Sequence, residues 1–362
     1  MSPKIVIIGS TGKLGSKLLD YSYKNNIKIT AITCFKNKKK ILFQKKKFGV
    51  SKKFILSELK DYTDFINFLK NRIDIIYFLD FGSFSLTYVN QFIKFNTKSI
   101  IAIANKEMII AGGKILINSI NKSKNKLVSL DSEHYSLKNS INKDNIQKIL
   151  ITASGGPFYF TKKKSFKDVS LKQVLSHPKW KMGANNLIDS SNFINKILEI
   201  YELSIIYDIP ISKIDFIISK EAFIHSIVIY DDGIISFNSF KNDMLLTLIN
   251  PLQDYFTFSD KISSESYITN IKNFKFDKNF DKRFIFFKYY KKLRQFNHIQ
   301  QILFMLLNNF AQSLYLSKKL NYDQIISYVM KNMEKFKFQP NLRSIPDIIK
   351  LISQIKKQIQ NV

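Results

Sequence analysis

The chain has a single cysteine, Cys34, in 362 residues. That excludes an intramolecular disulfide and a thiolate metal cluster, so a bound metal must sit on oxygen or imidazole, and a reducing compartment is expected. Arginine is almost as scarce: only Arg72, Arg283, Arg294 and Arg343 stand among 57 basic residues, which face 28 acids for a formal net charge of +29. Such a charge would ordinarily point to nucleic acid, but base and phosphate recognition favours the arginine fork on a concentrated patch. Here lysine is spread through every segment beside Ile, Asn and Phe, as an AT-rich coding genome would impose, and no nucleic-acid partner is expected. No apolar run approaches the ~18 residues of a membrane span. The N-terminus enters a strand pattern at once, without a signal or transit stretch, so a cytoplasmic protein with no membrane partner is expected.

What is present is an alternation of short apolar runs and amphipathic stretches, in a chain long enough for two or three cores. KIVII (4–8), IKITAITC (27–34), DIIYFLD (74–80) and SIIAIAN (99–105) have the β-branched, uninterrupted character of strands buried on both faces, which predicts a doubly wound parallel sheet. From about Asp131 a second α/β unit with some antiparallel pairing is predicted, with Asp232-Gly233 as a hairpin turn. From about Lys282 the apolar spacing becomes helical. The fold class is therefore α/β, divided into 1–130, 131–253, a linker over 254–281 and a helical domain over 282–362.

In GSTGKLG (9–15) three glycines fall between the first strand and the first helix, where missing side chains let backbone N–H groups approach a pyrophosphate. A tight turn alone would explain the same pattern. The next strand ends Cys34-Phe35-Lys36-Asn37-Lys38, with no acid for a ribose hydroxyl, and lysine there suits a 2′-phosphate. Asp131 and Glu133, two apart at the close of KLVSLDSE, would point to one side of an extended segment and could share a hard cation. Paired acids also occur as a solvated strand edge or a helix cap. ASGG (153–156) offers Ser154 and backbone amides, and DSSNFINKILE (189–199) places Ser190, Asn195, Lys196 and Glu199 within three turns of a predicted helix. Ser190 could instead cap that helix and Lys196 could be solvated. Glu199, set among Ile197, Leu198 and Ile200, needs a partner if buried, and a metal shared with Asp131 and Glu133 would supply one. HPKWKMG (177–183) cannot continue a helix through His-Pro and reads as an exposed loop carrying the only tryptophan, Trp180.

GSTGKLG, ANKE (104–107), DSEH (131–134), ASGGPF (153–158), HPKWKMG and DSSNFINKILE, in this order, resemble the successive signatures of the 1-deoxy-D-xylulose 5-phosphate reductoisomerase family of the methylerythritol phosphate route to isoprenoids. The resemblance covers residues 1 to about 250 and the rest by helical character only. It implies a Rossmann-like NADPH-binding domain, an α/β catalytic domain with a flap, and a helical C-terminal domain. It implies further that Thr11, Gly12, Lys13 and Leu14 hold the cofactor pyrophosphate, Lys36 and Asn37 its 2′-phosphate region, and Asn105 and Glu107 its nicotinamide side, with Ser10 and Gly183 also among the cofactor-binding residues. Asp131, Glu133 and Glu199 would ligate Mg²⁺ or Mn²⁺, with Co²⁺ a third candidate. Lys106, Ser132, Glu133 and His177 would face the substrate's reacting oxygens, and Lys106, Glu133 and His177 would carry the chemistry. Ser154, Ser190, Asn195 and Lys196 would take the phosphate, and His177, Trp180 and Met182 would belong to a closing flap.

The implied reaction rearranges 1-deoxy-D-xylulose 5-phosphate and reduces it to 2-C-methyl-D-erythritol 4-phosphate, in a homodimer. The sequence departs from the family at Phe35, where glycine is usual, at Ser219 to Ala222, around Asp243-Met244, and at Asn308-Asn309, where Asn-Glu is usual. A non-catalytic descendant acting as a binding protein would lose ligands first, and all of them are present.

Overall fold

The computed structural model describes residues 2–141, 144–161, 165–167, 169–176, 183–258, 273–278 and 281–360. Its contacts group the chain into two units, the first formed by Met1–Tyr135, Asp243–Ser263 and Arg343–Ile349.

The first unit is built on six parallel strands, β1 (Ile5–Ile8), β2 (Ala31–Cys34), β3 (Lys52–Ile55), β4 (Ile75–Phe78), β5 (Ile100–Ile103) and β6 (Lys126–Ser129), in the order β3-β2-β1-β4-β5-β6. Val6 registers with Ala31 on one side and Ile76 on the other, so the chain runs outward from β1 in both directions. Strands β1, β2, β4 and β5 are buried at every residue, which explains their unbroken apolar spelling. Strand β3 escaped the sequence reading because only Phe54 and Ile55 of Lys52–Ile55 are buried. Gly15 sits where the first helix, Lys13–Lys24, crosses the glycine turn: a Cβ there would lie 2.5 Å from Ser10 Cα. Leu248 and Leu252 fill this same core, and the buried Tyr77 hydroxyl donates to the Leu248 carbonyl at 3.0 Å.

The second unit holds β7 (Ile146–Ala153), β8 (Ile214–Ile218), β9 (Ile224–Tyr230) and β10 (Ile235–Ser239), in the order β10-β9-β7-β8. Only β7 and β8 run parallel; β9 and β10 form the predicted hairpin at Asp232-Gly233, where Gly233 has φ +85. The helices Phe286–Leu293, His298–Leu316 and Ile325–Met333 pack within this unit. Tyr201 donates to the Leu293 carbonyl at 2.6 Å, Tyr290 to Asp215 at 2.7 Å, and Arg294 to the Ile214 carbonyl at 2.8 Å. The helical stretch expected as a separate domain over 282–362 is thus shared, most of it joining the second unit and Arg343–Ile349 the first, and the residues from 243 onward that were grouped with the second sheet return to the first as well. Periodicity tells which face of a helix is apolar, not which sheet will cover it.

Gly15→Ala is expected to cost about 1–3 kcal/mol, because the new methyl meets backbone that cannot yield. A lower urea midpoint at unchanged slope would show it. Gly183→Ala, whose methyl would meet nothing within 4 Å, should leave the midpoint unchanged.

Candidate active site

The strand order reverses between β1 and β4, and the crevice outside the carboxyl ends of such strands is where open α/β sheets bind ligands. Gly9, directly after β1, has φ +83, and a Cβ on it would lie 2.7 Å from the backbone N of Asp80, two residues beyond the end of β4. Only glycine lets the two strand ends approach so closely. Gly12 caps the helix Lys13–Lys24 without any side-chain acceptor, leaving the first amides of Lys13 and Leu14 facing the turn. Ser10 behaves otherwise than expected of a ligand. Its N–H and its hydroxyl both donate to the Thr33 carbonyl, at 2.9 and 3.1 Å, and it is fully buried, so it shapes the turn from beneath.

Asn37 accepts from Lys40 N at 3.2 Å and thereby caps the helix Lys38–Lys47, while Lys36 stays exposed beside it. Phe35 is 66% exposed at the end of β2. The sequence reading missed Lys40, whose ammonium donates to the Thr11 carbonyl at 2.8 Å and joins that helix to the glycine turn. Its place one helical turn beyond Lys36 was the available signal.

Asn105 follows β5, caps the helix Lys106–Lys122 by accepting from Met108 N at 3.0 Å, and turns its amide toward Asp80 (3.2 Å) and the Gly82 carbonyl (3.0 Å). Burial pushes the Asp80 carboxyl up to about 6, against hydrogen bonds from Ser85 and Asn105 that hold it down. Burial likewise pushes Glu107, in the first turn of that helix, up to about 7, opposed by backbone N–H groups and by Lys106. Asp80 is a second residue the sequence reading did not single out; its position at the end of DIIYFLD, on the strand next to β1, could have done so.

Asp131 and Glu133 do not lie on an extended segment. Strand β6 ends at Ser129, and a helix runs Ser132–Leu137. Asp131 Oδ1 accepts from Glu133 N at 3.0 Å, so the helix-cap alternative holds for Asp131, with Glu133 in the first turn. The cap still brings the two carboxylates within 4.8 Å of each other. Lys106 is ion-paired to Asp131, and Ser132 Oγ donates to Glu133 at 2.5 Å. Behind them the buried His134 lies 3.2 Å from Ser129 Oγ, which also accepts from Asp131 N. An all-oxygen pair at this spacing fits a hard divalent ion, which would relieve the repulsion that Lys106 now offsets.

In the second unit Ser154 follows β7, and Gly155 and Gly156 continue with φ +83 and +60. A Cβ on Gly156 would lie 2.9 Å from the Ser190 carbonyl, so the missing side chain seats the ASGG loop against Ser190. DSSNFINKILE is not one helix. It closes the helix Ala184–Ser191 and opens the helix Ile194–Tyr207, with Phe193 at φ 69 between them. Ser190 therefore lies in the last turn of the earlier helix and does not cap the later one, which begins after Phe193 without a side-chain cap, while Asn192 accepts from Ile194 N at 3.0 Å across the break. Lys196 is not solvated. Its ammonium is 2.5 Å from Glu199 with both side chains buried, and Asn195 donates to the same carboxylate. Gly183 is exposed at the start of the helix Ala184–Ser191, and His177, Trp180 and Met182 lie outside the described residues.

The family model for the 1-deoxy-D-xylulose 5-phosphate reductoisomerase C-terminal domain matches residues 127–207. The chain is 30% identical to the 1-deoxy-D-xylulose 5-phosphate reductoisomerase of Pelagibacter ubique, over 99% of both chains. To that of Clostridium novyi it is 28% identical, over 99% of this chain and 98% of the relative. Among solved structures it is similar to the reductoisomerase of Zymomonas mobilis in complex with NADPH, at TM-score 0.80 and 21% identity, covering 100% of this chain and 99% of that one. A reductoisomerase in complex with NADPH, fosmidomycin and magnesium superposes at TM-score 0.84 with 21% identity, over 99% and 98% of the two chains.

The raised Glu107 carboxyl sets a pH dependence. The folded protein keeps a proton that the unfolded chain releases near 4.5, so this contribution to stability is full below that value and is lost as pH rises through about 7. Asp80 acts in the same direction over a lower window, ending at about 6. The melting temperature of the wild type should therefore fall as pH rises from about 4 to about 7 and level off above that, and Glu107→Gln should flatten the upper part of that fall. Parallel curves for the two proteins would contradict the assignment.

Proposed function

The chain belongs to the 1-deoxy-D-xylulose 5-phosphate reductoisomerase family, and on that premise we propose that it converts 1-deoxy-D-xylulose 5-phosphate to 2-C-methyl-D-erythritol 4-phosphate with NADPH and a divalent metal. The observation that carries this reading is the 30% identity over 99% of both chains to a 1-deoxy-D-xylulose 5-phosphate reductoisomerase, in a sequence that has Lys106, Asp131, Glu133, Ser154, Ser190, Asn195, Lys196 and Glu199 in the motifs that resemble that family. Asp131, Glu133 and Glu199 hold the metal, Mg²⁺ first, with Mn²⁺ and Co²⁺ compatible with the same oxygen donors. When bound, that ion supplies Lewis acidity at the substrate's keto and hydroxyl oxygens while one carbon–carbon bond breaks and another forms. NADPH supplies the hydride that reduces the rearranged aldehyde.

The chain's own groups do the rest. Lys106, already poised on Asp131, holds a proton at its Nζ next to the substrate oxygens, and Ser132 orients them. Glu133 faces the same oxygens. Ser154, Ser190, Asn195 and Lys196 bind the substrate phosphate, with Lys196 supplying the cation. The Gly12 turn with Thr11, Lys13 and Leu14 takes the cofactor pyrophosphate, and Lys36 with Asn37 takes the 2′-phosphate. Asn105, Glu107 and Gly183 flank the nicotinamide.

Among the described residues no helix is long and apolar enough to cross a membrane. A cytoplasmic location and a homodimer complete the reading. Support for the dimer comes from the second sheet, where Leu150, Ile227 and Phe237 stand in one row across β7, β9 and β10, and Phe237 at the edge is 55% exposed beside Ile235 at 50%. An exposed apolar edge strand invites a second copy.

Purified protein with NADPH, Mn²⁺ or Mg²⁺ and the substrate should oxidise the nicotinamide, followed by its absorbance; silence with every metal would sink the reading. Glu199→Gln should abolish turnover and leave NADPH affinity within about twofold, since Glu199 is proposed as a metal ligand and not as a cofactor contact. Light scattering on a sizing column should give twice the chain mass, and Phe237→Glu should shift the population toward monomer by desolvating a charge on the shared row.

A further inference from the structure

The proposed phosphate site rests on a buried group that none of its roles uses. Asp189, next to Ser190, is 5% exposed, and its Oδ1 accepts from Asn308 Nδ2 at 2.9 Å and from Gln312 Nε2 at 2.5 Å. Both amides are fully buried and sit four residues apart, hence on one face of the helix His298–Leu316. Gln312 reaches the Asn185 carbonyl as well, at 3.3 Å, so the helix Ala184–Ser191 is gripped one turn apart.

The other side of Ser190 is equally constrained. Gly156 backs its carbonyl, and Phe193 holds a left-handed φ of 69 that an aromatic side chain adopts only when its surroundings impose it. Those surroundings are the rings of Tyr159, Phe216, Phe284 and Phe287, with centroids 4.9–6.0 Å away. Burying a carboxylate beside a phosphate site is costly unless donors meet it, and here two buried amides donate to it.

We infer that Asn308 and Gln312 are positioning residues for substrate binding: through Asp189 they fix the end of the helix Ala184–Ser191, and so the Ser190 hydroxyl, for the substrate phosphate. Of the usual Asn-Glu pair at this helix position, the chain keeps only the asparagine, the member that bonds to Asp189. The inference rests on the proposed function.

The test is a double-mutant cycle on the full-length enzyme with NADPH and Mn²⁺. Asn308→Leu and Gln312→Met should each raise KM for 1-deoxy-D-xylulose 5-phosphate about tenfold, the scale of one lost buried hydrogen bond, with kcat and NADPH affinity changed less than about twofold. In a Ser190→Ala background neither substitution should raise KM further. Additive effects in that background, or NADPH affinity falling in step with KM, would overturn the inference, because either is what general loosening of the unit gives. If Asn308→Leu does not fold, Gln312→Met and Asn308→Asp carry the same cycle. Absence of wild-type turnover defeats the reading of the reaction itself, whereas normal turnover with additive double variants defeats the positioning role alone.

Discussion

A carboxylate taken out of water must be met by a donor or a cation, and every acid of importance in this protein is placed by the group that meets it. Asp131 is met by Lys106 and by the first amides of its own short helix. Glu199 is met by Lys196 and Asn195, one turn before it on the same helix. Asp80 is met by Ser85 and Asn105, Asp189 by two amides, and Asp215 by Tyr290 with Arg294 and Lys148 nearby. These pairings differ in kind. Asp131 and Glu199, proposed to hold metal, are matched with lysines, which a cation or an anionic substrate can displace; Asp80 accepts from the neutral Ser85 and Asn105, and Asp189 accepts from two amides.

Helix starts are the second recurring device. Asn37, Asn105 and Asp131 each follow a strand of the parallel sheet, and each uses its side chain to cap the next helix. A cap fixes the direction of the first turn, and the first turn carries the residues that matter: Lys106 and Glu107 after Asn105, Ser132 and Glu133 after Asp131. The doubly wound sheet thus converts strand ends, which are rigid, into fixed directions for polar side chains that would otherwise sample many rotamers.

How much of this was legible in the sequence follows from the range of each signal. Strands buried on both faces spell themselves as apolar runs, so β1, β2, β4 and β5 were read, and Asp232-Gly233 announced its hairpin. Strand β3 was lost because half of it is wet. The acid pair was recognised but given the wrong local geometry, since Asp-Ser-Glu spells a strand end and a helix cap equally well. Ser190 and Lys196 were left with bland alternatives that burial and long-range packing removed: the seat on Gly156 and the break at Phe193 depend on residues far away in the chain. Ser10 looked like a ligand because motif position says nothing of which way a hydroxyl turns. The division into units was misjudged for the same reason, as Leu248 and Leu252 rejoin a core begun more than two hundred residues earlier.

That return has a consequence for how the molecule comes to exist. The first unit is assembled from three separate stretches of chain, and the phenol of Tyr77 finds its acceptor only at Leu248. While the chain is being synthesised from its N-terminus, the parallel sheet can form early, but its core stays open until residues 243–258 emerge. The parallel-sheet half of the protein is therefore not a module that could have been borrowed whole or cut free at residue 130; its completion waits on the chain having first passed through the second sheet.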